Sequence, residues 1–194
     1  DWNSSVADLF IYNWTDWQNG AFDFSGYALE KITVTGGEII PDYAFSNMPT
    51  LKEVDFSKSK VTTIGEKAFY NCTSLTDIKL PETISYYGNY SFYNTQITSL
   101  PKKSVVTSVG DYAFADCTKL KEFVIPETCT RLGIHAFRNC VSLTEMVIPE
   151  SVEYMGEQLL LNCSSISELT LPYAGTRREV TDAGSTTDWN SSVA

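Results

Sequence analysis

The amino-acid sequence predicts an α/β-type repeat protein, mostly β: a solenoid with a parallel sheet on one face and short second strands and turns on the other. Three observations carry this. Phenylalanine recurs at Phe45, Phe69, Phe92, Phe114 and Phe137, with Leu160 in register, and glycine recurs at Gly65, Gly88, Gly110, Gly133 and Gly156. The spacing is 22 to 24 residues, the length of a supersecondary unit that cannot bury its apolar side alone and gains a core only by stacking on its neighbours. Each copy also carries an L-x-x-[IV]-x-[LIVF] core, as in Leu51-Val54-Phe56, Leu75-Ile78-Leu80 and Leu143-Met146-Ile148. Its closing positions alternate apolar and polar, which is a short strand with one buried face. Finally, proline follows at Pro81, Pro126, Pro149 and Pro172; without an N–H it cannot extend a ladder and so ends each strand.

Residues 1–28 stand outside this pattern and are rich in aromatics, including Trp2, Phe10, Tyr12, Trp14, Trp17, Phe22, Phe24 and Tyr27. They read as a cap over the first rung, with strand character from Leu9 to Trp14. Residues 29–172 form the rungs, about six of them, beginning with Leu29-Ile32-Val34 and including Leu120-Phe123-Ile125 and Ile166-Leu169-Leu171. At one corner the glycine column supplies a permissive backbone. At the next, Asn47, Asn71, Asn94, Asp116, Asn139 and Asn162 supply side chains for a turn ladder. Sequon matches such as Asn71-Cys72-Thr73 follow from the repeat and carry no glycosylation argument. The rung after Phe92 is irregular, because Pro101, Lys102 and Lys103 fall where a strand and a core position are due; a bulge or broken ladder is expected there. Residues 173–187 have the Gly, Ser and Thr content of a linker, and Asp188–Ala194 repeats Asp1–Ala7 without a change, as the start of a next module would.

The formal charge of −10 argues against nucleic acid or an anionic bilayer as partner. No run approaches the ~20 apolar residues of a membrane span, so no membrane insertion is expected. Cys72, Cys117, Cys140 and Cys163 share one column three residues after the Phe position, and Cys129 falls where other rungs have Ile84 and Val152. These are small apolar core positions, and no Cys-x-x-Cys spacing occurs, so buried free thiols are expected, with no metal site and no cofactor.

The string from Ile125 to Pro149, which contains Gly133-Ile-His-Ala-Phe-Arg-Asn-Cys-Val-Ser-Leu143, resembles the BspA-like class of leucine-rich repeats, and the resemblance covers residues 29–172. It implies a right-handed leucine-rich repeat solenoid from a secreted or cell-surface bacterial protein that acts in adhesion, with no family catalytic residues to transfer. Departures are Leu159-Leu160 in place of Ala-Phe, Ser91 in place of alanine, and the irregular rung.

The residues bear out a non-enzymatic reading in their own terms. His135 is the sole histidine, and its column holds Tyr43, Lys67, Tyr90, Tyr112 and Gln158, residues expected to face solvent. Outward strand positions form a column of Lys31, Glu53, Asp77, Ser99, Glu122, Glu145 and Glu168 and a second of Thr33, Asp55, Lys79, Pro101, Val124, Val147 and Thr170. Glu122 and Glu145 fall at about the ~5 Å carboxyl separation of a retaining glycosidase, but any repeat places like residues at that spacing. The candidate ligand surface is Glu122, Val124, Glu145, Val147 and Glu168: two exposed valines amid carboxylates, suited to a protein ligand carrying Lys or Arg. The rival reading is a carbohydrate-binding module that uses the aromatic amino-terminal segment.

Overall fold

The structure, a computed structural model, describes residues 7–9 and 28–172. Among these there is no helix, and twelve short strands wind into a solenoid whose strand pairs are all parallel. This is the expected mostly-β solenoid, with a parallel sheet on one face and short second strands and turns on the other. A rung of 22 to 24 residues divided among two strands and a row of tight turns leaves no run long enough for a helix.

The first face begins with β1 (Ala7–Leu9), followed in space by β2 (Lys31–Val34), β4 (Glu53–Asp55) and β6 (Asp77–Lys79). Ile32, Val54 and Ile78 stand in register and point inward. β1 supports the expectation of a strand near Leu9, although it ends there; Phe10 to Tyr27 lie outside the described residues, as do residues 173–194. Further along the same repeat column, β10 (Glu145–Val147) pairs with β12 (Glu168–Thr170). Between β6 and β10 the face has no strand. Residues 97–103 break the ladder as expected, with Lys102 and Lys103 displaced to the surface. The next rung is a correction: Leu120, Phe123 and Ile125 are buried, but no strand forms over them. A strand needs a hydrogen-bonding neighbour, and the irregular rung offers Lys121 N–H only the Thr98 carbonyl, at 3.1 Å.

The second face is unbroken. β3 (Ile39–Ile40), β5 (Thr63–Ile64), β7 (Tyr86–Tyr87), β8 (Ser108–Val109), β9 (Arg131–Leu132) and β11 (Tyr154–Met155) form one six-stranded sheet. β7 pairs directly with β8, so the irregular rung is bridged from this side.

Turns complete each rung and make a third ladder. The N–H groups of Tyr43, Phe45 and Asn47 donate to the carbonyls of Glu66, Ala68 and Tyr70 in the next rung at 2.7–2.8 Å, while Ala44 and Ser46 bond within their own rung. Two columns of non-glycine residues have left-handed backbone to achieve this: Tyr43, Lys67, Tyr90, Tyr112, His135 and Gln158, and the Asn/Asp column from Asn47 to Asn162, all with φ between 52° and 62°. Such a conformation costs roughly 1–2 kcal/mol per residue, offset in every rung but the last described one by a cross-rung hydrogen bond. In the second column the amides also bond one another rather than the backbone: Asn71 donates to Asn47 at 3.2 Å, Asn94 to Asn71 at 3.0 Å and Asn162 to Asn139 at 2.8 Å.

The glycines have a different role from the one read in the sequence. Among the described glycines only Gly37 has positive φ. At Gly110 a Cβ would lie 2.6 Å from the Asn89 nitrogen, and at Gly65 equally close to the Asp42 nitrogen and the Pro41 carbonyl carbon. The column is glycine because adjacent rungs approach backbone to backbone, and no side chain fits between them.

Inside, Phe45, Phe69, Phe92, Phe114 and Phe137 form a continuous stack with centroids 5.0–5.5 Å apart and ring planes within 18°. Phe56 and Phe123 pack edge-on or tilted against it. Ser91 takes an alanine position and is fully buried, its hydroxyl without a hydrogen-bond partner. The thiols of Cys72, Cys117, Cys140 and Cys163 each donate to the carbonyl of the Phe one rung earlier, at 2.9–3.2 Å. All five cysteines are free. Cys163 is only half-buried, because among the described residues no rung follows to cover it.

Candidate functional site

The outward side of the first face divides into two electrostatically different halves. In the first, Glu53 accepts from Lys31 at 2.9 Å and from Lys79 at 3.1 Å, tying three rungs together; Lys79 also reaches Asp55 at 3.9 Å. The lysine ammonium groups, Lys31 first, hold the Glu53 carboxyl below the usual glutamate range. Three carboxylates, those of Glu53, Asp55 and Asp77, face two ammonium groups here, so the charge of this half is largely cancelled internally.

The second half holds the candidate ligand surface. Glu145 and Glu168 are directly opposed in register across β10 and β12, as are Val147 and Thr170. Neighbouring parallel strands are ~4.8 Å apart, so two like charges face each other there, and among the described residues neither has a cationic partner. Glu122 differs: its carboxylate pairs with Lys102 of the displaced segment at 3.0 Å. Glu122 and Val124 also lie outside any strand, on the rung next to the irregular one, so the carboxylate pair whose positions a ladder holds is Glu145–Glu168 rather than Glu122–Glu145. Val124 is 47% and Val147 55% exposed. Two exposed valines thus share a column flanked by the Glu145 and Glu168 carboxylates, which have no cationic partner among the described residues, and by the Lys102–Glu122 pair. Among the described residues no cluster of three or more His, Cys, Asp or Glu could hold a metal.

The other candidate residues lie elsewhere. His135 is half-buried and packs against Tyr112 at 4.8 Å between ring centroids with the rings tilted by 40°, part of a surface row in which Tyr90 stacks on Tyr112 at 4.7 Å and the Lys67 ammonium lies 5.2 Å from the Tyr43 ring and 5.6 Å from the Tyr90 ring. Of the column, Tyr43 and Gln158 are exposed, and Lys67, Tyr90, Tyr112 and His135 are half-buried. The column lies on the surface as its residue types predict; the contacts among its rings depend on the rung spacing, which residue types alone do not show. The rival carbohydrate surface, the aromatic segment from Phe10 to Tyr27, lies outside the described residues.

The repeat itself matches the model of the BspA type leucine rich repeat region, in six copies across residues 38–167. The chain belongs to this family. Among solved structures, this BspA-type chain resembles the leucine rich repeat protein of T. pallidum at 23% identity, over 73% of this chain and 69% of that one, with a TM-score of 0.66. A leucine-rich repeat protein from Bacteroides ovatus is similar at 19% identity over 75% of this chain and 55% of its own, with a TM-score of 0.35. The first likeness shows the fold and nothing finer. No curated protein matches. Leucine-rich repeats are in general binding scaffolds rather than enzymes, and no helix among the described residues is long and apolar enough to cross a membrane.

Proposed function

We propose that this chain is an extracellular bacterial leucine-rich repeat module that binds a protein through the outward strand face, at Glu122, Val124, Glu145, Val147 and Glu168, in an adhesive role. The observation that supports it is that Val124 and Val147, one repeat apart in the same column, are both substantially exposed, while the Glu145 and Glu168 carboxylates opposed across β10 and β12 have no cationic partner among the described residues. Covering two valines contributes about 1.5–3 kcal/mol each. A Lys or Arg placed between Glu145 and Glu168 relieves their mutual repulsion and acts mainly on encounter rate and specificity. The partner is therefore a protein surface carrying an apolar side chain beside a basic one. The family's role in interaction supports the class of function.

Selection of displayed random peptides on the immobilised chain tests this. Enriched peptides should carry Lys or Arg next to an apolar residue and lose most of their affinity for the Val124→Ser/Val147→Ser double variant. Glu145→Gln should chiefly flatten the salt dependence. Peptides that bind the double valine variant as tightly as the parent would remove the site from this face.

A further inference from the structure

The last rung carries an unfinished edge, and the first rung shows what finishes such an edge. In the column of Ile32, Val54, Ile78, Phe123 and Met146 every side chain is at most 7% exposed, whereas Leu169 is 36% exposed; Ile166 and Leu171 of the same rung are only half-buried. β12 pairs with β10 on one side, and on the other its backbone groups have no strand partner among the described residues. At the opposite end β1 sits on β2 in the register Ala7↔Ile32, Asp8↔Thr33. It is a parallel strand one rung ahead of the repeat, and its own outer edge is likewise without a strand partner among the described residues. The free edge of β12 faces forward along the chain and that of β1 faces backward, so the two join without reversing strand direction.

Spacing in the sequence makes the same connection. Asp188–Ala194 is identical to Asp1–Ala7, so Ala194 corresponds to Ala7, the first residue of β1. As many residues separate Leu169 from Ala194 as separate Ala7 from Ile32. The chain already uses this interval once to bring one strand onto the next in this column. Side chains alternate between faces along a strand, so a register one residue off would turn the Leu169 column outward; the observed interval keeps it inward.

We propose that the free edge of β12 is the seat for strand β1 of a second copy of this unit, in the register Leu169↔Ala7 and Thr170↔Asp8, so that consecutive copies form one unbroken solenoid rather than beads on a flexible linker. The contact is head-to-tail, and repeated it generates an open array instead of a closed dimer. It involves the end of the solenoid and is independent of the strand-face reading above.

The test is a tandem chain in which Ala194 is followed directly by Asp8 and the remainder of a second unit, compared with the single chain by hydrogen exchange. The amides of Glu168–Thr170 in the first copy should exchange about tenfold or more slowly in the tandem than in the single chain, since they become interior to a sheet. Leu169→Asp in the first copy should abolish that difference while β4 and β5 keep their protection, which shows that the variant still folds. Equal exchange of β12 in the two chains, or slowing that survives Leu169→Asp with the rest of the copy intact, would overturn the proposal.

Discussion

At the scale of single residues, the cysteine column shows how a side chain can be chosen for size and hydrogen bonding together. A thiol fills the small space beside the phenylalanine stack and donates to a carbonyl of the preceding rung. Burial pushes the thiols of Cys72 and Cys117 up to about 12 and those of Cys129 and Cys163 up to about 11. Because the folded-state values are raised above the ordinary ~8.5 of a free thiol, their contribution to stability is whole below about pH 8.5 and is lost as pH climbs toward 11 to 12. Urea midpoints should therefore fall steadily above pH 9, and less steeply in a Cys72→Ala/Cys117→Ala variant. A thiol reagent at neutral pH should reach Cys163 first in the folded protein and all 5 cysteines only after unfolding. Early labelling of Cys117 or Cys140 would contradict the packing described.

At the scale of the element, the Asn ladder has one interruption with a chemical cause. A carboxamide both donates and accepts, so Asn47, Asn71 and Asn94 bond in sequence, as do Asp116, Asn139 and Asn162. Asp116 has no N–H to offer Asn94. It takes the Tyr93 hydroxyl instead, and that hydrogen bond, with burial second, raises the Tyr93 pKa to about 12. Asp116→Asn keeps an αL-tolerant residue at φ 61° and supplies the missing donor. NMR titration should then find Tyr93 shifted down toward the ordinary ~10 of tyrosine. Stability should change by less than about 1 kcal/mol, since a neutral amide bond replaces a charge-assisted one. A Tyr93 value unmoved by the substitution would assign its shift to burial instead.

At the scale of the whole molecule, stability in a solenoid is a sum over nearest-neighbour contacts, and a weak rung uncouples the parts on either side. The fourth rung is the weak one: its strand face is broken, and the halves are joined there by the second sheet, the turn ladder and Phe92, stacked 5.0 Å from Phe69 and 5.4 Å from Phe114. Phe92→Ala should cost about 3–5 kcal/mol and also split the unfolding. Hydrogen exchange at rising urea should show the rungs before residue 97 and those after residue 106 losing protection at separate concentrations. In Phe69→Ala, where the strand face is intact on both sides, the cost should be similar but the loss concerted. A single concerted transition in both variants would mean that the second sheet alone couples the halves.

The sequence by itself determined the repeat and its period, the buried columns, the strand-ending prolines, the irregular rung and the BspA-type family, because each of these is a matter of which residue types recur at what interval. It also placed Val124 and Val147 outward, since alternation along a short strand follows from the apolar pattern. What only the tertiary structure decided are quantities set by the distance between rungs. The glycines are required by close backbone approach, which no φ preference announces. The aromatic row on the turn face stacks ring on ring at the surface because the rung spacing matches a ring-to-ring contact. Of the two halves of one carboxylate column, the early one is cancelled by Lys31 and Lys79 while Glu145 and Glu168 have no cationic partner among the described residues, and the division depends on which long side chains reach across a rung. The missing strand at Glu122–Val124 has the same origin: a strand is made by its neighbour, and the neighbour there is irregular.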